Sequence, residues 1–138
     1  MNEYLRPEMG LELRGVSVLG LAHVGDAVYE LMVRTWLCTS GTKTAKALHG
    51  GAVSYVSAKA QAKAFTKIKL QLTEQELDVY KRGRNAQSSS VPKNSSYGDY
   101  HTATGLEALF GHLYLSGEPE RLGELFAMIV RDEDGDEA

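Results

Sequence analysis

Residues 21–36 read Leu-Ala-His-Val-Gly-Asp-Ala-Val-Tyr-Glu-Leu-Met-Val-Arg-Thr-Trp. Apolar side chains recur at Leu21, Val24, Val28, Leu31, Met32 and Trp36, while His23, Asp26, Glu30 and Arg34 fall three to four apart on another stripe. That spacing is helical. It extends from Ser17 to Thr39 and predicts one long amphipathic helix, with Gly41 suited to its stop.

The same period governs the rest of the chain. Thr42 to His49 reads as a short helix closed by Gly50-Gly51. Ser54 to Leu70 is Ala-rich and places Lys59, Lys63 and Lys67 on one helical face. Thr73-Glu74-Gln75-Glu76 is a capping box, and it opens a helix to about Arg82. Gln87 to Asp99, rich in Ser and Asn, predicts the longest loop. Helices follow from Thr102 to Leu115 and from Glu118, with Pro119 in the first turn, to about Arg131. No segment alternates convincingly at period two. The expected fold is all-α: one bundle-like domain over residues 1–131, then an acidic tail over 132–138 that reads as a solvated, frayed end.

Composition narrows the function classes. The chain has 138 residues, 43% of them hydrophobic and 24% charged, the balance of an ordinary globular protein. No stretch approaches the ~20 apolar residues of a membrane helix. The N-terminus lacks the apolar run of a secretory signal. One cysteine, Cys38, excludes an intrachain disulfide framework and a zinc site built on cysteine pairs, so a reducing, cytoplasmic setting is the default. Beside Trp36 and Leu37, Cys38 reads most simply as core. The net charge is -3, but it is segregated: residues 43 to 93 hold ten Lys/Arg against three acids, and the remainder holds five against fifteen. A polyanion responds to the local patch and not to the total.

Two acids stand in unusual surroundings. Asp26 follows Gly25 in mid-helix, where glycine costs ~1 kcal/mol against alanine and aspartate is itself a poor interior residue. Glu107 lies between Gly105 and Gly111. If the two helices pack where their glycines permit, the carboxylates face each other, repel and raise one another's pKa. A divalent cation relieves that repulsion, and magnesium accepts one or two carboxylates with water and phosphate completing its shell.

Val24-Gly25-Asp26-Ala27-Val28-Tyr29-Glu30 resembles the Leu-Gly-Asp-Ala-Val type run of the ribonuclease III family, and Thr104-Gly105-Leu106-Glu107-Ala108-Leu109-Phe110-Gly111 resembles that family's second catalytic segment. Val56-Ser57-Ala58-Lys59-Ala60-Gln61-Ala62, Lys81-Arg82-Gly83-Arg84-Asn85-Ala86 and Val91-Pro92-Lys93-Asn94 are similar to the Mini-ribonuclease III subgroup, which is the catalytic domain alone. The resemblance covers roughly residues 17 to 126. It implies an all-helical homodimer that cleaves double-stranded RNA with magnesium, manganese being the expected substitute. The products would be 5′-phosphate and 3′-hydroxyl ends. Asp26 and Glu107 would be the catalytic, metal-binding acids. The broader family's further acids correspond here to Leu19, Ala22 and Thr104, which leaves the full metal shell open and agrees with the narrower subgroup at the last two positions. The implied physiological substrate is the 23S ribosomal RNA precursor, with a large-subunit ribosomal protein as a candidate helper.

Double-stranded RNA is read by shape, through phosphates and 2′-hydroxyls. The candidate contacts are Lys59, Lys63 and Lys67, then Arg82, Arg84 and Asn85, where Gly83 is expected to break a helix and expose backbone N–H groups, and finally Lys93 and Asn94 in the Ser/Asn loop. His49, His101 and His112 have no spacing that makes them joint metal ligands. The alternative function is a catalytically silent relative that binds double-stranded RNA without cutting it. HD-type hydrolases are excluded because the chain has no His-Asp dipeptide.

Overall fold

A computed structural model describes residues 2–41, 44–86 and 96–131. The acidic tail 132–138 and the candidate contacts Lys93 and Asn94 lie outside the described residues. Among the described residues every regular element is helical: α1 Val18–Thr39, α2 Ala45–Val56, α3 Ala58–Ile68, α4 Glu74–Arg84, α5 Tyr97–Leu115 and α6 Pro119–Val130. Short 3-10 turns cover Leu11–Gly15 and Lys69–Gln71. None of these helices is long and apolar enough to cross a membrane.

Local chemistry sets most boundaries. Ser17 caps α1 by accepting from the Gly20 N–H, and Gly41 takes a φ of +102° just beyond its end, a conformation that favours glycine. Thr73 and Glu76 form the reciprocal capping box that opens α4. Three expectations need correction. Gly50 and Gly51 do not close α2; the helix runs through them because Gly51 lies against the Leu37 side chain, where an added Cβ would sit 3.1 Å from Cδ1. The break falls instead at Ser57, which ends α2 and caps α3 by accepting from the Ala60 N–H. Finally, α5 begins at Tyr97 and not Thr102, because Ser96 accepts from the Asp99 N–H and starts the helix there.

The organising element is α5, buried on most of its circumference at Ala103, Gly105, Leu106, Ala108, Leu109, Phe110, Gly111 and Leu113. A helix buried all round is a core helix. It packs against α1, α3, α4 and α6, while α2 leans on α1 and α3. Tyr29 meets Phe110 and Phe126 edge-on at 5.2 and 6.1 Å, and Phe65 stacks on Tyr80 at 3.8 Å. Leu31, placed by its spacing on the apolar stripe of α1, is 60% exposed. Cys38 is also exposed, which corrects its reading as core.

One ion pair ties α4 to α6. Arg121 donates through Nε to Glu76 Oε2 and through Nη2 to Glu76 Oε1, each at 2.8 Å, and through Nη2 to the Gln71 carbonyl at 2.8 Å. Glu76 is 6% exposed, and the Arg121 hydrogen bonds hold its carboxyl below the usual range. Its ionised form is therefore favoured by folding, so the contribution is present above the ordinary carboxylate pKa and fades as pH falls below it. Glu76→Gln is expected to cost roughly 1–3 kcal/mol at neutral pH, since the half-buried Arg121 keeps Glu124 but loses its bidentate carboxylate partner. The cost should shrink as pH falls below about 4.5, where the unfolded chain takes up a proton that the folded carboxylate, held lower by Arg121, still resists. Thermal melts of parent and variant from pH 3 to 7 check both points.

Candidate active site

The two glycine-flanked acids are brought together by backbone contact. A Cβ built on Gly25 would lie 1.6 Å from the Glu107 carbonyl oxygen and 2.7 Å from the Gly111 nitrogen. One built on Gly111 would lie 1.9 Å from the Leu21 carbonyl oxygen. Only hydrogen fits at either position. Helices α1 and α5 therefore cross with main chain against main chain, and Asp26, next to Gly25, comes to stand against Glu107. Asp26 is exposed and Glu107 half-buried.

Burial first, and the Asp26 charge second, push the Glu107 carboxyl up to about 8; a hydrogen bond from Gln61 partly opposes them. Among the described residues neither carboxylate has an ion-pair partner. Nor do three or more His, Cys, Asp and Glu side chains converge anywhere among those residues. Among the described residues the site thus offers two carboxylates and no paired counter-charge. That donor set fits a hard divalent cation that keeps water and phosphate oxygens as its other ligands. Two buried polar atoms without hydrogen-bond partners accompany the pair, the Tyr29 hydroxyl and Gln61 Oε1. Burial, then the Tyr55 and Glu107 charges, raises the Tyr29 hydroxyl above its ordinary pKa.

The raised Glu107 value has a stability consequence. In the metal-free protein the unfolded chain ionises this group near the ordinary carboxylate pKa, while the folded chain holds the proton up to about pH 8. Folding is penalised progressively between those values, by about 1.4 kcal/mol for each tenfold difference in proton affinity. With metal removed by a chelator, Glu107→Gln should melt higher than the parent at pH 8, and the gap should nearly close at pH 5. Equal gaps at the two pH values would contradict the shift.

The remaining candidates are more scattered. Lys59 and Lys63 are exposed on α3. Lys67 is half-buried, and its Nζ donates to the Ile129 carbonyl at 3.0 Å, at the end of α6. Gln61 faces Glu107, and Lys59 and Lys63 leave α3 about 200° of helical turn to either side of it; Lys63 lines a pocket with Tyr29, Tyr55 and Lys67. Arg82 is exposed with Asp78 at 3.8 Å. Arg84 donates to Asn85 Oδ1 at 3.2 Å, with its guanidinium 5.7 Å from the Tyr80 ring centre. Gly83 does not break the helix: it is buried within α4, where a Cβ would lie 2.7 Å from that of Ala108 and 3.0 Å from the Gly105 Cα. The exposed N–H groups expected there are not present. Glu30, on the Asp26 stripe, pairs with Arg34, and His23 is exposed. Ala22 is buried, and Thr104 donates its hydroxyl proton to the Tyr100 carbonyl at 3.0 Å.

Gln61 was missed by sequence reasoning. It shares its face of α3 with the buried Ala64, Phe65 and Ile68, at i+3, i+4 and i+7. An amide inside an apolar stripe was the available signal.

Residues 19–118 match the family model of the ribonuclease III domain. The chain is 50% identical over 107 residues to a Mini-ribonuclease 3 of Brevibacillus brevis, a match covering 78% of this chain and 80% of that protein. It is 44% identical over 122 residues to a Mini-ribonuclease 3 of Enterococcus faecalis, covering 87% and 92%. A Mini-ribonuclease 3 of Clostridium tetani matches at 40% over 120 residues, covering 86% and 80%. The fold is similar to the X-ray crystal structure of a Fusobacterium nucleatum protein, with a TM-score of 0.81, 28% identity, and coverage of 89% of this chain and 100% of that one.

Proposed function

This chain belongs to the ribonuclease III family and is an endoribonuclease of that type, and on that premise we propose that it hydrolyses double-stranded RNA with magnesium held between Asp26 and Glu107. The observation that carries the reading is the backbone contact at Gly25 and Gly111, which brings two uncompensated carboxylates together. A divalent cation bound there supplies Lewis acidity to a phosphodiester oxygen and makes water more acidic.

The residues do the rest. Asp26, exposed, presents its carboxylate to solvent and incoming phosphate. Glu107, half-buried, gives up its proton when a cation takes the proton's place. The rigid crossing of α1 and α5 holds the two acids in place before substrate arrives, so little reorganisation is needed at the phosphate. Among the described residues no side chain nearby is an evident general base. The expected products carry 5′-phosphate and 3′-hydroxyl ends.

The rest of the reading is inferred from the family. Manganese should substitute for magnesium. The active form is a homodimer, and exposed apolar side chains such as Leu31 on α1 and Val53 on α2 are surface of the kind a second copy would cover. The natural substrate is the paired ends of the 23S ribosomal RNA precursor, in the cytoplasm, with a large-subunit ribosomal protein as a candidate helper. Lys59, Lys63, Arg82, Arg84 and Asn85 contact phosphates.

The test is cleavage of a labelled RNA duplex with and without magnesium, beside single-stranded RNA and duplex DNA. Magnesium-dependent cutting of the RNA duplex alone is the expected result. Binding without cutting under every metal condition would leave a silent RNA-binding relative. For the phosphate contacts, changing both Lys59 and Lys63 to Gln should reduce the slope of log affinity against log salt by roughly one for each residue that touches phosphate. An unchanged slope would remove this face of α3 from the RNA surface.

A further inference from the structure

Gln61 is 2% exposed, and both of its amide N–H groups are engaged. Nε2 donates to the Val56 carbonyl at 3.0 Å and to Glu107 Oε2 at 3.1 Å. The Val56 carbonyl can only accept, and the ionised Glu107 carboxylate likewise. Only the NH2 end of the amide can serve them, so its orientation is determined and Oε1 is left buried without a partner. An unpartnered buried acceptor costs about 1–3 kcal/mol. Leu or Met would fill the same position without that cost. Broken local rules of this kind concentrate at functional sites.

The geometry also says where the amide is anchored. Val56 ends α2, so its carbonyl has no onward helical partner, and the chain turns into α3 at Ser57. Gln61 bridges that corner to the carboxylate on α5. A flexible Glu side chain is thereby restrained by a donor fixed to the backbone of another element.

The geometry points to Gln61 as a positioning residue that holds the Glu107 carboxylate in the orientation in which it and Asp26 share a divalent cation. The inference rests on the cation reading given above. Residues that orient metal ligands typically change metal affinity or activity by 10–100-fold when replaced.

The test is titration of manganese into the protein without RNA, following free manganese by electron paramagnetic resonance. The variants are Gln61→Met, which keeps the length and loses both donors, and Gln61→Leu, which also loses both donors in a smaller apolar side chain. Asp26→Asn is run beside them. Gln61→Met exchanges the orphaned Oε1 for an unpaired Val56 carbonyl and should melt within a few degrees of the parent, yet bind manganese about tenfold more weakly. The magnesium concentration for half-maximal cleavage should rise by the same factor. Manganese affinity within twofold of the parent in a folded variant overturns the inference. If Gln61→Met fails to fold, Gln61→Leu decides by the same criterion; failure of both assigns Gln61 to the fold alone and also overturns it. If Asp26→Asn binds manganese like the parent, the cation reading has failed, a result separate from any outcome at Gln61.

Discussion

Asp26→Asn and Glu107→Gln should each lower the single-turnover rate of duplex RNA cleavage by about a thousandfold or more. Each change keeps the side chain's shape and removes its charge. A cation held by two carboxylates loses half of its protein ligands with either change. Cation stabilisation of charge at a phosphate is worth several kcal/mol, and about 1.4 kcal/mol is a factor of ten in rate. The double variant should be little worse than either single one, because the two acids act as one unit. Affinity for the duplex in chelator should hold in Glu107→Gln, whose parent already carries the proton there, and hold or rise in Asp26→Asn, which removes a negative charge near the phosphates. Cleavage within tenfold of the parent in either variant would remove that residue from the site.

Gly25→Ala and Gly111→Ala should be the most destabilising small substitutions in the chain. Each Cβ would fall inside 2 Å of a main-chain carbonyl oxygen. Backbone cannot step aside as a flexible side chain can, so α1 and α5 must separate. Ordinary overpacking costs about 1–3 kcal/mol, and this clash is with main chain, so roughly 4 kcal/mol or more is expected. At this size that corresponds to a fall in melting temperature of roughly 10–25 °C, or to a failure to fold. Gly50→Ala and Gly123→Ala are the comparison, since a Cβ at either meets nothing within 4 Å. Both lie within helices, and alanine there should be neutral or stabilising by up to ~1 kcal/mol. Thermal melts of the four variants decide it. Gly25→Ala melting within a few degrees of Gly50→Ala would contradict the main-chain contact.

These contrasts also explain what could be read from the sequence. Helices with a chemical cap were legible: Ser17 and Gly41 on α1, the Thr73 box on α4, Pro119 on α6. The nearness of Asp26 and Glu107 was legible because Gly25 and Gly111 flank them and glycine in mid-helix calls for a reason. The same residue type also misleads. Gly50, Gly51 and Gly83 read as helix ends, yet Gly51 and Gly83 are contact points for Leu37 and for α5. Whether a glycine ends a helix or admits a neighbour depends on what lies opposite, and that is tertiary information. Gln61 was hidden differently. The lysines two positions either side drew the reading of α3 to its solvent face, while the buried amide sat on the other. Lys67 looked like a third member of the lysine row, but the end of α6 lies within its reach.

The central place of α5 has a consequence for how the molecule breathes. Amide protons on a helix enclosed by four others should exchange with solvent only through global opening. By contrast α2, with Ala52 as its one fully buried residue, belongs to the part of the molecule that opens at low cost. Glu107 therefore rides on the slowest-exchanging segment, and α1, pinned to it at Gly25, should share that protection over its middle turns. Local fluctuation at the periphery can reshape the surface that meets a ligand while the two acids keep their relative positions. A hydrogen-bonded link from the end of α2 to the acids runs through the Val56 carbonyl and the Gln61 amide, so deuterium uptake along α2 would show whether that link transmits motion or absorbs it.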